Sequence, residues 1–406
     1  MPSRMDHLLD VLGLCVVVAL IVLGPTQYSV EVAPKTYLSL VDPVVWLGFV
    51  VWVIRVARKQ ERMVVRPPLL VVLLLGCMAL SVVRATDRVA GLKDLFQYTE
   101  YFVVAFLLFG SSFQAEARRR RLTLLFLSVG IAVVAWAAVH YCIAAVPALK
   151  VRGPFGNRNV YGGFLCLLLP LALGLLVHDR QPVRRVAWGT VLLAGLITNL
   201  SGGALLGLLI GGAVVLGMRG ERALLTGMAV TAGLFFLVFP QLPRPNGEIL
   251  YDSVRMVGDD NVLSPRYVQW QAAWIMMDER PGLGVGAGNY QQNIGSYYGS
   301  LPSPVMVQEH DSQNLYLVLG SSIGFIGMAA FAGTLIVLIV RAVGRAARMA
   351  DGWDKGLMLG AAGSLVAYGI ACLWSPLLVR GIGIPLAFML ALVSSLARCG
   401  NACPAE

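Results

Sequence analysis

Only four histidines occur in the 406 residues, and one of them, His310, stands where it could act on an external substrate. It closes a long hydrophilic stretch, 241–313, and is followed almost at once by an apolar run beginning at Asn314. A neutral imidazole can accept a proton from a hydroxyl nucleophile near pH 7. Glu309 and Asp311 flank it and could orient it or raise its pKa. Of the others, His7 is near the N-terminus, His140 lies inside an apolar run, and His178 ends one. The second reactive type is arginine. Arg152 and Arg158 fall in the Gly/Pro/Asn-rich link VRGPFGNRNVYGG just ahead of an apolar run, and Arg266 opens a helical pattern within the hydrophilic stretch. Guanidinium groups gathered at a membrane surface suit an anionic headgroup or a diphosphate, which they can grip with two parallel hydrogen bonds.

Several other chemistries are excluded. His310, Asp311 and Ser312 are adjacent and cannot form a hydrolase triad, and no nucleophile elbow is present. The run Gly284-Val-Gly-Ala-Gly288 follows a helical pattern, not a strand, so it reads as a turn that lets backbone approach the bilayer surface or a substrate, not as a nucleotide loop. Asp259-Asp260 is an isolated acidic pair without further metal ligands. Seven cysteines are scattered; Cys15, Cys77, Cys142, Cys166 and Cys372 fall in apolar runs as small buried hydrophobes, while Cys399 and Cys403 lie in the tail with no second pair for zinc. We expect no metal, no cofactor and no disulfide framework.

These residues must be positioned by a membrane protein. Hydrophobic residues make up 57% of the chain and charged residues 13%, about half the charged share of a soluble domain. Mean hydropathy is +0.74. Continuous apolar runs, each near the ~20 residues that a helix needs to cross the hydrocarbon, exclude a barrel. We expect an all-α polytopic fold of about twelve spans, near 8–24, 36–56, 67–83, 92–110, 122–146, 160–178, 184–200, 203–218, 223–240, 314–340, 356–374 and 379–397. The stretch 184–218 is too long for one span, and Ser201-Gly202-Gly203 supplies the turn that divides it. The N-terminus has Arg4 ahead of an apolar core but no small-x-small cleavage site, so it reads as an uncleaved first span.

Alternate loops carry unequal positive charge. One set, with Arg4, the 55–66 cluster, 118–121, 180–185, Arg219 and Arg222, 341–355 and Arg398, holds most of the 32 Lys and Arg, which puts both termini in the cytoplasm. The formal charge of +10 is thereby a signature of topology, not of nucleic-acid binding. The outward set, including Lys35, Arg84, Arg88, Lys93, Arg152, Arg158, Arg266 and Arg380, works against the rule, partly by snorkelling. The chain divides into 1–240 with nine spans, the outward loop 241–313, and 314–406 with three spans and a tail. Within the loop, Ser264-Pro265 reads as a helix start and Pro281-Gly282 as its end. Tyr267, Trp270, Trp274 and Met277 share one face of that amphipathic helix, which lies along the interface or caps the bundle.

The stretches SPRYVQWQAAWIMMDERPGLGVGAGNY and EHDSQNLYLVLGSSIGFIG resemble the membrane superfamily of O-antigen ligases and O-antigen polymerases. The matching elements are Arg266 opening a helix, Trp270 four residues on, and the turn Pro281, Gly284, Gly286. His310 and the span entry Asn314 to Leu317 complete the pattern. The resemblance implies a GT-C-like, metal-independent glycosyltransferase acting at the periplasmic face of the bacterial inner membrane. Its donor would be a glycan on undecaprenyl diphosphate, its acceptor a sugar hydroxyl of lipid A-core, and its other partners membrane lipids. His310 would be the catalytic base and Arg266 would engage the diphosphate; Arg158, Arg152 and Arg88 are further candidates for that anion. The family often has an arginine after the serine that opens the eighth span, where this chain has Gly202. O-antigen polymerase and protein O-oligosaccharyltransferase are the near alternatives, and a lipid or solute transporter is the alternative of another class.

Overall fold

The computed structural model describes residues 4–33, 36–58, 66–143, 152–178, 181–199, 201–220, 263–298 and 312–399. It is nearly all helical. The helices are α1 (Arg4–Leu23), α2 (Val41–Ala57), α3 (Leu69–Val82), α4 (Arg88–Thr99), α5 (Phe106–Ser112), α6 (Glu116–Ile143), α7 (Arg158–His178), α8 (Pro182–Thr198), α9 (Gly202–Arg219), α10 (Leu263–Glu279), α11 (Tyr290–Tyr298), α12 (Leu315–Ala346), α13 (Trp353–Ala371) and α14 (Gly383–Cys399). A π-helical turn, Glu100–Ala105, joins α4 to α5 in one continuous rod. Five of these helices, α1, α6, α7, α9 and α12, are each long and apolar enough to cross a bilayer by themselves. The chain is a multi-pass membrane protein. The expected span 223–240 lies outside the described residues, as do His310 and Asp259-Asp260.

Two expectations need correction. The fold is not purely helical: Ser29–Ala33 and Thr36–Ser39 pair antiparallel, so α2 begins at Val41 and not near residue 36. Cys15 is exposed on the outside of α1, whereas Cys77, Cys166 and Cys372 are buried as expected.

The bundle is centred on α13, which packs on α7 and α9. These contacts use small residues, because in lipid close van der Waals approach must supply what the hydrophobic effect supplies in water. A β-carbon on Gly174 would run into the Gly356 carbonyl, and one on Gly207 into the Ala367 carbonyl. The stretch 184–218 is divided as expected, with α8 ending at Thr198 and α9 starting at Gly202.

Helix ends fall on two faces of the bundle. One face gathers ion pairs between helix starts and ends: Arg58 with Asp6 at 3.0 Å, Arg55 with Asp10 at 2.6 Å, and Arg119 with Asp354 at 2.6 Å. Arg120 lies 4.9 Å over the Trp353 ring on the same face. The other face carries the hairpin, the start of α4, the α10–α11 segment and the start of α12. It is where the candidate site lies.

Candidate functional site

The glycine turn after α10 is docked into a broken helix. Gly324 has φ +81° and ψ 169°, which interrupts α12 one-third of the way along. The break frees backbone groups that cannot be left unpaired inside a membrane protein. The carbonyls of Ser321 and Ser322 accept from Val285 N at 2.9 Å and Gly286 N at 3.0 Å, and Phe325 N donates to the Pro281 carbonyl at 2.9 Å. Gly284, at φ +63°, and Gly286, at φ +105°, are required because a β-carbon would meet the backbone of residues 321–322 or of Ala85. At Gly284 and Gly286 the turn's backbone therefore lies against protein, while its end at Ala287 and Gly288 borders a cavity.

The next residues tie the turn to α3 and α4. Ala287 N donates to Ser81 Oγ at 3.0 Å. Asn289 and Asp87 exchange hydrogen bonds: Asp87 N donates to Asn289 Oδ1 at 2.7 Å and Asn289 Nδ2 to the Asp87 carbonyl at 2.9 Å. The Asp87 side chain in turn caps α4 through Val89 N and Ala90 N, both at 3.0 Å. On α11, Tyr297 donates to Glu279 Oε2 at 2.8 Å, which fastens α11 to the end of α10. Burial, that hydrogen bond and the Glu279 charge hold the phenol above its ordinary pKa, so it remains a donor.

Helix α10 buries mainly a face beside the aromatic stripe, together with Met277 of that stripe. Val268, Gln269, Ala272, Ala273 and Met276 are buried, with Met277, while Trp274 is 59% exposed. The cause is the close packing of α10 on α12, where Ser321 Oγ donates to the Ala273 carbonyl at 2.8 Å. Trp270 lies at the edge of that contact, and its Nε1 donates to the carbonyl of fully buried Ser312 at 2.9 Å. Ser312 follows His310 by two residues, and Trp270 follows Arg266 by four, about one helical turn. Arg266 is in the first turn of α10, and its side chain lies outside the described residues.

The entry to α12 is fixed from several sides. Asn314 caps the helix, accepting from Tyr316 N at 3.0 Å and Leu317 N at 3.2 Å. Leu315 N donates to the Cys372 carbonyl at 2.8 Å, which joins this entry to the end of α13. Gln313, immediately before Asn314, has φ +49°, a left-handed conformation uncommon for any residue but glycine. Backbone in this region is held by its surroundings against its own preference.

Beside this entry is a cavity of about 420 Å³. Its walls are α4, the end of the glycine turn, the start of α11, the outer part of α12 and the approach to α14. Lys93, Asp94, Gln97, Gln291 and Arg380 supply its polar groups, and Tyr98, Leu319 and Ile323 part of its apolar surface. Arg380 Nη2 donates to Asp42 Oδ2 at 2.7 Å, and that carboxylate also accepts from Ser39 N at 2.9 Å. Gln27 Nε2 donates to the Arg380 carbonyl at 2.8 Å, and its Oε1 accepts from Gly156 N. One amide thus joins the 152–158 link to the loop that carries Arg380.

The expected arginines are dispersed around this cavity. Arg88 is exposed at the first position of α4, Arg152 is exposed with Nη1 donating to the Gly156 carbonyl at 3.2 Å, and Arg158 is half-buried at the start of α7. None of the three lines the cavity; Lys93 and Arg380 do. Their only sequence signal is that both are outward cations opposing the topology rule. Near Arg158, Ser201 Oγ donates to Asn159 Oδ1 at 3.1 Å, so the starts of α7 and α9 are in contact. Deeper in the bundle Glu100 is 1% exposed, and its Oε1 accepts from Trp46 Nε1 at 2.6 Å. It sits midway along the 88–112 rod. Among the described residues no group of three or more His, Cys, Asp or Glu is placed to hold a metal ion.

A family model described as O-antigen ligase matches residues 187–332, which run from α8 through the kink of α12. The matched segment contains Arg266, the glycine turn, the Trp270–Ser312 contact and His310. No curated protein matches the chain significantly.

Proposed function

We propose that the protein is an O-antigen ligase, transferring a glycan from undecaprenyl diphosphate to a sugar hydroxyl of lipid A-core. The observation that carries this reading is the Trp270–Ser312 hydrogen bond, because it joins the α10 turn after Arg266 to the segment just after His310. In the proposed reaction the acceptor hydroxyl attacks the anomeric carbon as its bond to the diphosphate oxygen breaks. His310 takes the hydroxyl proton, and undecaprenyl diphosphate leaves from the opposite face, which inverts the anomeric centre. Diphosphate is already a good leaving group, so no metal is required; arginine gathers its charge. General-base help of this kind contributes about 10²- to 10⁴-fold. The strained backbone at Gln313, three residues from His310, supports a site whose geometry is imposed by its surroundings.

Arg266 is assigned to the diphosphate. Arg158 takes the part of the arginine absent at Gly202, supported by the contact between the starts of α7 and α9 and by open space around Gly202. Arg152 and Arg88 are assigned to the surrounding anionic surface. The reading places twelve spans in a GT-C-like arrangement in the bacterial inner membrane, with 1–240 and 314–406 flanking a periplasmic loop 241–313. O-antigen polymerase and protein O-oligosaccharyltransferase share this chemistry and differ in acceptor.

The test is transfer in vitro, with purified protein, lipid-linked glycan and lipid A-core. Wild type should form the glycosidic bond, and His310→Ala should lose it while still binding the donor; full activity in His310→Ala would remove the imidazole from the chemistry. Arg266→Ala should weaken donor engagement more than acceptor engagement, and unchanged donor affinity and turnover would reject its role. A single-repeat cap in cells lacking the gene would mark a polymerase instead. The buried Glu100 favours one second reading, a transporter, since carboxyls within a bundle line ion and substrate paths. Movement of a lipid or solute by reconstituted protein, without bond formation, would establish it.

A further inference from the structure

We propose that the cavity between α4, the outer part of α12 and the approach to α14 is a pyranose-binding subsite. This deepens the transferase reading and rests on it. The cavity, at about 420 Å³, falls in the range of small-molecule sites, roughly 300–1,000 Å³. Its rim includes Leu315, three residues beyond the Ser312 carbonyl that Trp270 holds, so it adjoins the segment that leads from His310.

The lining distinguishes a sugar from the diphosphate. An anion site would gather cations and exclude carboxylates, yet Asp94 is in this cavity, within electrostatic reach of Lys93 and Arg380. Arg380 is further neutralised by Asp42 behind it. What remains is a mixture of hydrogen-bonding groups without a large net charge. Asp94 can accept from two hydroxyls, Lys93 can donate to ring or hydroxyl oxygens, and Gln97 and Gln291 can do both. Tyr98, Leu319 and Ile323 offer the apolar surface that the C–H face of a pyranose requires. Close polar matching on a partly apolar wall is the composition of a selective small-molecule site. The sugar could belong to the acceptor or to the donor glycan; both present the same ring chemistry.

The walls are built for constancy. Gly91 of α4 lies so close to the Ala287 carbonyl that an added β-carbon would crowd it, and Asp87 at the start of α4 exchanges two hydrogen bonds with Asn289, so α4 and the glycine turn cannot separate without breaking these contacts. The α14 side is held by Asp42 and Gln27 on Arg380. The site is therefore formed before a ligand arrives.

Saturation-transfer NMR on the full detergent-purified chain, with glucose, galactose and N-acetylglucosamine as probes, tests the proposal directly. Signal should appear with wild type, fall with Asp94→Asn, and vanish with Gln291→Trp, which plugs the rim from an exposed position. Inorganic pyrophosphate should not displace the sugars. No signal in wild type, equal signals in all three proteins, or displacement by pyrophosphate would each overturn the assignment. In transfer assays Asp94→Asn should raise one KM by about 10- to 100-fold, the range for a lost hydrogen bond to a charged group, with kcat little changed. A rise in acceptor KM assigns the ring to the acceptor, and a rise in donor KM to the donor glycan; two unchanged KM values would reject the subsite. The NMR readout does not need turnover, so failure of transfer by wild type would sink the ligase reading without deciding this one.

Discussion

Gly324→Ala is the substitution that most directly challenges the docking of the glycine turn on α12. At φ +81° and ψ 169° the backbone is in a region open essentially to glycine, and a β-carbon there costs about 1–3 kcal/mol. The added methyl would also meet the backbone carbonyls of Gly282 and Pro281. Relief requires the turn to move away, which gives up the three hydrogen bonds from Val285, Gly286 and Phe325, each worth about 0.5–1.5 kcal/mol net. The combined loss is about 3–7 kcal/mol. Gly344 on the same helix is the control: nothing lies within 4 Å of its added β-carbon. Gly344→Ala should be neutral or more stable by up to about 1 kcal/mol, the helix-interior advantage of alanine. Both variants and wild type would be compared in one detergent by thermal unfolding and by glycan transfer. We expect Gly324→Ala to melt well below the other two and to transfer little, because the turn carries α10 and with it Arg266. If Gly324→Ala melted with Gly344→Ala and remained active, the kink would not be clamped by the turn, and the reasoning would fail.

Three other perturbations address separate parts of the molecule. Trp270→Phe keeps the ring but removes the donor to the buried Ser312 carbonyl; it should cost about 1–3 kcal/mol and lower turnover, and unchanged melting and turnover would deny the contact a role. Arg119→Ala leaves Asp354 without its 2.6 Å partner at the basic face; as Asp354 is one-third exposed, the expected loss is about 1–3 kcal/mol with transfer by the surviving fold intact. Selective loss of transfer at unchanged stability would contradict that assignment. Transfer should be complete in excess EDTA, and a strict requirement for added divalent ion would overturn the metal-independent mechanism.

The sequence was most informative where one physical constraint acted alone. Continuous apolar runs marked the helices because lipid leaves the backbone no other partner, and the Ser201-Gly202-Gly203 break was visible because glycine interrupts such a run. Asn314 is legible for a similar reason, as a side chain that can serve two orphan amides at a helix start. Periodicity located α10, which spans Leu263–Glu279, but did not name the stripe that meets α12: close approach selects Ala272 and Ala273, and Trp274 is left exposed, as on a helix lying along an interface. The hairpin was hidden inside an apolar stretch, although Pro34-Lys35 and the alternation around it carried a turn signal. Long-range pairings had no local signature. Nothing near Lys93 or Asp94 names Arg380, and nothing near Asn289 names Asp87; only the folded chain brings them together.

The π-helical turn at Glu100–Ala105 separates two registers along one rod. An α-helix advances each side chain by about 100°, so an extra residue would ordinarily rotate everything beyond it off its packing face. The wider turn absorbs that surplus locally. Before it, Gln97 and Tyr98 address the cavity; after it, Phe109 and Phe113 meet Phe388 of α14, with ring centroids 5.3 and 5.0 Å away. The two halves can therefore be tuned independently. A chain shortened by one residue within 100–105 could close into a regular helix and still present both faces, so length variation in this lineage should be tolerated there sooner than at any neighbouring position.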